Sequence, residues 1–262
     1  MGDNGLKNTH QKERLGEENY NTYGTLMKII EYNSSQSIIV EFQDEYKTKV
    51  KCKYCQFKNG TLASPYNKTV YNVGYIGEGD YNHKNNPIIW GFWHDLIARN
   101  YDPYFINKHL TYKDCFVEND LLCFQNFAHW FNENYYECDN EQMCIDKDIL
   151  KKGNKIYSKE TMIFVPQSIN KLFIKQENKR GDLPIGVTWD ENCRKFRASI
   201  RVKYKDEKNK QLTKRFNTVI EAFKWYKEQK EREIQRRADE YKNMIPQKLY
   251  EAMYNYKVEW ED

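Results

Sequence analysis

Gly186-Val187-Thr188-Trp189-Asp190-Glu191-Asn192-Cys193-Arg194-Lys195-Phe196-Arg197-Ala198-Ser199-Ile200-Arg201-Val202 is the stretch on which the fold class turns. Arg197, Ser199, Arg201 and Lys203 alternate with Ala198, Ile200 and Val202. That period of two belongs to a strand with one wet face and one buried face. A polar turn over 205–210 leads to Lys214-Arg215-Phe216-Asn217-Thr218, and a helix opens at Val219-Ile220-Glu221-Ala222-Phe223. The order predicts an antiparallel sheet with a helix packed behind it. Between Arg194 and Lys242 seventeen Lys/Arg stand against eight Asp/Glu, while the whole chain carries a net charge of only +4. A basic C-terminal part is therefore joined to a mildly acidic body, and a basic sheet face points to a polyanionic partner.

The rest of the 262 residues bounds the class. Aromatics are 15% of the chain, with 21 Tyr and 13 Phe, so cores can be built from rings and wholesale disorder is excluded. No apolar run reaches the length of a membrane span, and residues 1–18 lack the apolar core of a secretory signal. Seven Cys at scattered spacings do not form a disulfide framework. Cys52-x-x-Cys55 is half of a zinc knuckle with no second pair at a usual distance. The expectation is a reduced, cytoplasmic protein with no membrane partner.

An α+β chain of several parts is predicted. Residues 1–18 read as a flexible arm. Residues 19–63 read as a small β-barrel-like domain. Its strands run over Thr25-Leu26-Met27-Lys28-Ile29-Ile30, then Ile38-Ile39-Val40-Glu41-Phe42, then 47–54, where Thr48, Val50, Cys52 and Tyr54 share a face. Residues 64–86 form a Gly- and Asn-containing connector. Residues 87–175 form a central α+β domain. One of its helices starts at Pro87, and another runs from about Asp120, read as its N-cap, to Tyr135. Short strands near Met143 and Ile163 and a short helix after Pro166 follow. Residues 175–182 read as a polar linker. Residues 183–262 hold the three-stranded sheet, a long helix ending near Asn243 and a last helix after Pro246. The charged second half of the long helix packs on the last helix or on a second subunit, which makes a homo-oligomer one expectation.

Gly186-Val187, Lys195-Phe196-Arg197-Ala198 and Phe216-Asn217-Thr218 followed by Glu221-Ala222-Phe223 carry a resemblance. They are similar to the plant ethylene-response-factor (APETALA-type) DNA-binding domain in its bacteriophage and homing-endonuclease form. The resemblance implies a three-stranded sheet in the DNA major groove. By position it implies contacts from Arg194, Arg197, Ser199, Arg201 and Lys203, with Lys214 and Arg215 on the third strand. Arg suits guanine and Lys suits phosphate.

The middle of the chain resembles the phage HNH-type nucleases. The matching pieces are Trp93, Arg99-Asn100-Tyr101-Asp102, Tyr112-Lys113-Asp114, Phe124-Gln125-Asn126-Phe127, Ile145-Asp146-Lys147-Asp148-Ile149-Leu150, Tyr157-Ser158-Lys159-Glu160-Thr161 and Val165-Pro166. That family needs a metal ligand beside a general base on its first strand. Here the place reads Asp146-Lys147-Asp148, and a Lys of ordinary pKa is protonated at neutral pH. Asp146, Asp148 and Glu160 are the candidate catalytic residues. Asp146 and Asp148 are the candidate ligands of Mg²⁺ or Mn²⁺ should the centre be active, and no other cofactor is implied.

The preferred expectation is a phage-encoded protein that binds double-stranded DNA in the bacterial cytoplasm on an HNH-like scaffold that has lost catalysis. The alternatives are an inhibitor that binds a bacterial defence complex directly, such as a CRISPR or nuclease–helicase system, and a metal-dependent endonuclease.

Overall fold

The computed structural model describes residues 13–174, 182–202 and 210–262. Most of the expected arm, residues 175–181 of the linker, Lys203 and residues 205–209 of the turn lie outside the described residues. The fold is α+β, with several small sheets and one long C-terminal helix. The chain divides into two compact units. One holds residues up to Glu133 together with Ile156–Lys159, and the other holds Asn134–Lys155 and Glu160–Asp262.

The first unit begins with strands β1 (Glu18–Tyr20), β2 (Leu26–Ser34), β3 (Ser37–Phe42) and β4 (Lys49–Cys52). They pair antiparallel in the order β1-β2-β3-β4. This is the expected meander, and the pairing does not show it closing into a barrel. Met27, Ile29, Ile38, Val40 and Phe42 are essentially sealed from water. A register shift between Ile29 and Glu31 changes the phase of β2, so Tyr32 and not Glu31 turns inward.

β4 ends earlier than the alternation suggests. Tyr54 is not on the strand but opens helix α1 (Tyr54–Lys58), which drives Phe57 into the core. The Gln56 side chain accepts the Lys53 backbone N–H at 3.0 Å and so secures the helix start. Phe57 is fully buried, and its apolar burial outweighs the strand pattern.

Helix α2 (Pro87–Tyr101) buries Trp93, Leu96 and Ile97. A further helix, α3 (Pro103–Lys108), is capped by Asp102, whose carboxylate accepts the Tyr104 N–H at 3.0 Å. β5 (Phe116–Val117) precedes α4 (Phe124–Asn134), which packs Phe124, Phe127, Ala128 and Phe131 inward. Asp120 is not the N-cap of α4. It lies in a 3₁₀ turn, accepts from Asn126 Nδ2 at 2.7 Å and pairs with Lys159. The glycine-containing loop at 74–79 wraps a buried amide. Gln125 Nε2 donates to Tyr81 O at 2.9 Å, and a side chain on Gly79 would collide with the Gln125 amide.

In the second unit β6 (Met143–Asp146) pairs antiparallel with β8 (Ile163–Pro166), and α5 (Gln167–Asn170) follows directly. The intervening β7 (Ile156–Tyr157) belongs to the first unit and pairs parallel with β5. The C-terminal part is β9 (Val187–Asp190), β10 (Lys195–Val202), β11 (Lys210–Phe216), α6 (Val219–Tyr241) and α7 (Gln247–Tyr254). The sheet order is β11-β10-β9, antiparallel throughout. Val187, Ala198, Ile200 and Val202 form one core with Ala222, Phe223 and Tyr226 of α6. Gly186 takes φ +76° and lies against the Tyr226 ring, where any side chain would collide. The second half of α6 buries Ile234 and Ala238, and α7 adds Leu249 and Met253, all fully buried. The last helix therefore covers the stripe for which a second subunit is the alternative on sequence alone.

Candidate nucleic-acid interface

Cross-strand register decides which side chains share a face, because directly opposed residues point the same way. Arg197 lies opposite Thr188 on β9 and Arg215 on β11. Ser199 lies opposite Thr213, Arg201 opposite Gln211, and Lys195 opposite Asp190. These nine side chains form the face turned away from α6. Arg197, Arg201, Arg215 and Lys195 are exposed, and Asp190 is the one acidic member among the described residues.

Asp190 changes the electrostatics of this face. Arg215 Nε donates to Asp190 Oδ2 at 2.8 Å, and the Cys193 backbone N–H reaches Asp190 Oδ1 at 3.3 Å. The Arg215 hydrogen bond holds the Asp190 carboxyl below the usual carboxylate range. Arg215 is therefore ion-paired on this face. Arg197 Nε donates to Thr188 Oγ1 at 3.2 Å, which fixes its rotamer without neutralising its charge. Arg201 makes no ion pair among the described residues. Arg194 occupies the β9–β10 turn with φ +49°, exposed at the end of the sheet.

Lys214 does not belong to the outward set. It pairs with Ala198, so it sits on the α6 side of the edge strand, with Nζ 5.4 Å from the Phe216 ring centre. Lys203 lies outside the described residues. Lys195, Thr188, Gln211 and Thr213 complete the face, although the sequence does not single them out. Lys195 continues the alternation of Arg197 and Arg201, so its signal is present there. The others depend on register, which no local pattern carries.

The Asp146-Lys147-Asp148 segment is a capped turn at the end of β6. Asp146 Oδ1 accepts the backbone N–H groups of Asp148 and Ile149, each at 2.8 Å. Asn154 Nδ2 donates to the Lys147 carbonyl at 2.8 Å, and Lys147 Nζ lies 3.4 Å from Asp148 Oδ2. Burial, and then the charge of Asp148, push the Asp146 carboxyl up to about 6, while the two backbone N–H groups pull the other way. Glu160 is exposed in the turn before β8. Among the described residues no three His, Cys, Asp or Glu side chains gather as a metal-holding group. One carboxylate is engaged by backbone donors and the other is held by an ammonium. Both carboxylates thus take part in the turn's own contacts.

No protein-family model, curated protein or solved structure matches this chain. No helix among the described residues is long and apolar enough to cross a membrane.

Proposed function

We propose that this chain binds double-stranded DNA by laying the outward face of β9, β10 and β11 on the duplex. One observation carries the reading: Lys195, Arg197, Arg201 and Arg215 share a face on which Asp190 is the one carboxylate among the described residues. A narrow antiparallel ribbon can enter the major groove. There Arg197 and Arg201 have the reach to fork onto base edges, while Lys195 and Arg194 suit phosphates at the flank. The resemblance to APETALA-type domains points to Arg197, Ser199, Arg201 and Arg215 of this face, but also to Lys214, which lies on the other side. The β6–β8–α5 segment is read as an HNH-derived scaffold whose acidic residues serve its own turn. The N-terminal meander is read as a small barrel-like module that this function does not require.

Electrophoretic shifts of the full chain on duplex DNA at graded salt test the proposal. Arg197→Ala and Arg201→Ala should each weaken binding about tenfold, a loss of about 1.4 kcal/mol. Removing a side chain that neutralises one phosphate should also lower the salt slope by about 0.9. Absence of duplex binding at low salt, or a double variant that binds like the parent, would end the DNA reading.

A further inference from the structure

A cleft of about 1170 Å³ lies within the second unit, between the β6–α5 region and the C-terminal sheet and helix. It runs beside the part of β10 that extends past β9, since the pairing of β9 stops at Ala198. Its charge is uneven. Lys230, Lys171 and Arg201 line it, and none of them is ion-paired among the described residues. Lys171 Nζ donates to the Gln167 amide oxygen at 3.2 Å.

Two acidic residues of the lining, Glu141 and Glu233, are committed elsewhere. Glu141 accepts from Ser168 Oγ at 2.9 Å and from Tyr241, and Glu233 pairs with Arg236 at 2.7 Å. Lys230 is partly buried on α6. Burial pushes its pKa down to about 8, against the opposing pull of Glu233. A partly buried cation with no direct ion pair among the described residues is a standing cost that an anion relieves.

The remaining lining indicates what accompanies the anion. Ile185, Val187, Ile200 and Tyr226 make an apolar wall, and Gln142, Gln167 and Gln211 offer amides. An amide presents a donor and an acceptor side by side, the pattern of a base edge. The volume exceeds that of an inorganic anion many times over and lies just above the usual range of small-molecule sites. We propose that this cleft binds a nucleoside phosphate, with Lys230, Lys171 and Arg201 on the phosphate and the apolar wall and amides on the base. The ligand is either a free nucleotide or the phosphorylated end of a nucleic-acid strand, since the chemistry is the same.

Calorimetric titration of the full chain with ADP, inorganic phosphate, a 5′-phosphorylated single-stranded oligonucleotide and a Glu-rich peptide tests this. ADP should bind saturably at one site and more tightly than inorganic phosphate. Lys230→Met should weaken it about tenfold. Lys171→Ala, at an exposed position that leaves the fold undisturbed, should weaken it several-fold. Arg197→Ala, outside the cleft, should leave it unchanged. An oligonucleotide that competes with ADP identifies a strand end, and one that does not identifies free nucleotide; both support the site. No saturable ADP binding, ADP binding indifferent to both Lys variants, or preference for the acidic peptide would overturn it. ADP binding that persists in a chain unable to bind duplex sinks the DNA reading alone, and the reverse result sinks this one alone.

Discussion

Asp146, a half-buried carboxyl, holds a turn through its backbone hydrogen bonds. Its two backbone hydrogen bonds hold the turn after β6, and partial burial and the nearby Asp148 charge both disfavour its ionised form. Its pKa rises from 3.8 to about 6 on folding, so between those values the folded state keeps a proton that the unfolded state releases. Stability conferred by this group is present below pH 3.8 and falls as pH rises through about 6. Asp146→Asn keeps the acceptor and removes the charge. Urea midpoints for the variant should equal or exceed the parent at pH 7.5 and should fall less between pH 4 and 6. Parallel profiles for the two proteins would mean that Asp146 carries no such charge. The acidic residues at this place are legible in the sequence, but their engagement by backbone donors is not, because a turn's hydrogen bonds depend on where the strand before it stops.

Among the elements, α6 and the sheet behind which it packs follow closely from the sequence. Thr218 caps α6 by accepting the Glu221 N–H at 3.3 Å, and Glu221 accepts the Thr218 N–H in return at 3.2 Å. Thr218→Ala should lower stability by about 1 kcal/mol in thermal or urea melts. An unchanged midpoint would show that the helix start is held by packing alone. The face of the sheet is half legible. Arg197, Ser199 and Arg201 follow from the alternation of β10, but Lys214 lies on the opposite side from the one its sequence position suggests. One strand's period cannot give its phase against a neighbour, since a single-residue slip reverses every side chain. Asp190 escapes the sequence for the same reason. Asp190→Asn removes the one carboxylate of this face among the described residues and releases Arg215. Duplex affinity should therefore rise, with a salt slope steeper by about 0.9. Equal or weaker binding would place Arg215 outside the contact surface.

Across the molecule, a polar network joins parts of the second unit that are far apart in sequence. Tyr241 donates to Glu141, a hundred residues away, and Arg237 donates to the Tyr241 hydroxyl and to Ser168 Oγ, both at 3.2 Å. Burial works to raise the Glu141 pKa, but the hydrogen bonds from Tyr241 and Ser168 outweigh it and the net direction is down. The stability from Glu141 is thus present above its unfolded pKa and lost as pH falls through the depressed value. Tyr241→Phe should cost roughly 1 kcal/mol near neutral pH, because Glu141 loses one donor and keeps those of Ser168, and less in acid. A loss that stays constant with pH would show that Glu141 gains nothing from the hydroxyl.

The kinds of element, the alternation of β10, the capping of α6 and the gathering of positive charge near the C-terminus all follow from the order of residues. These are local properties, set by backbone periods of two and 3.6 residues and by simple charge counting. Folding in three dimensions was needed to put Asp190 among the arginines, to turn Lys214 toward α6, to close a turn with Asp146, and to bring Glu141 to Tyr241. Each of these depends on register or on pairing between distant segments, where burial and long-range contacts override what neighbouring residues prefer.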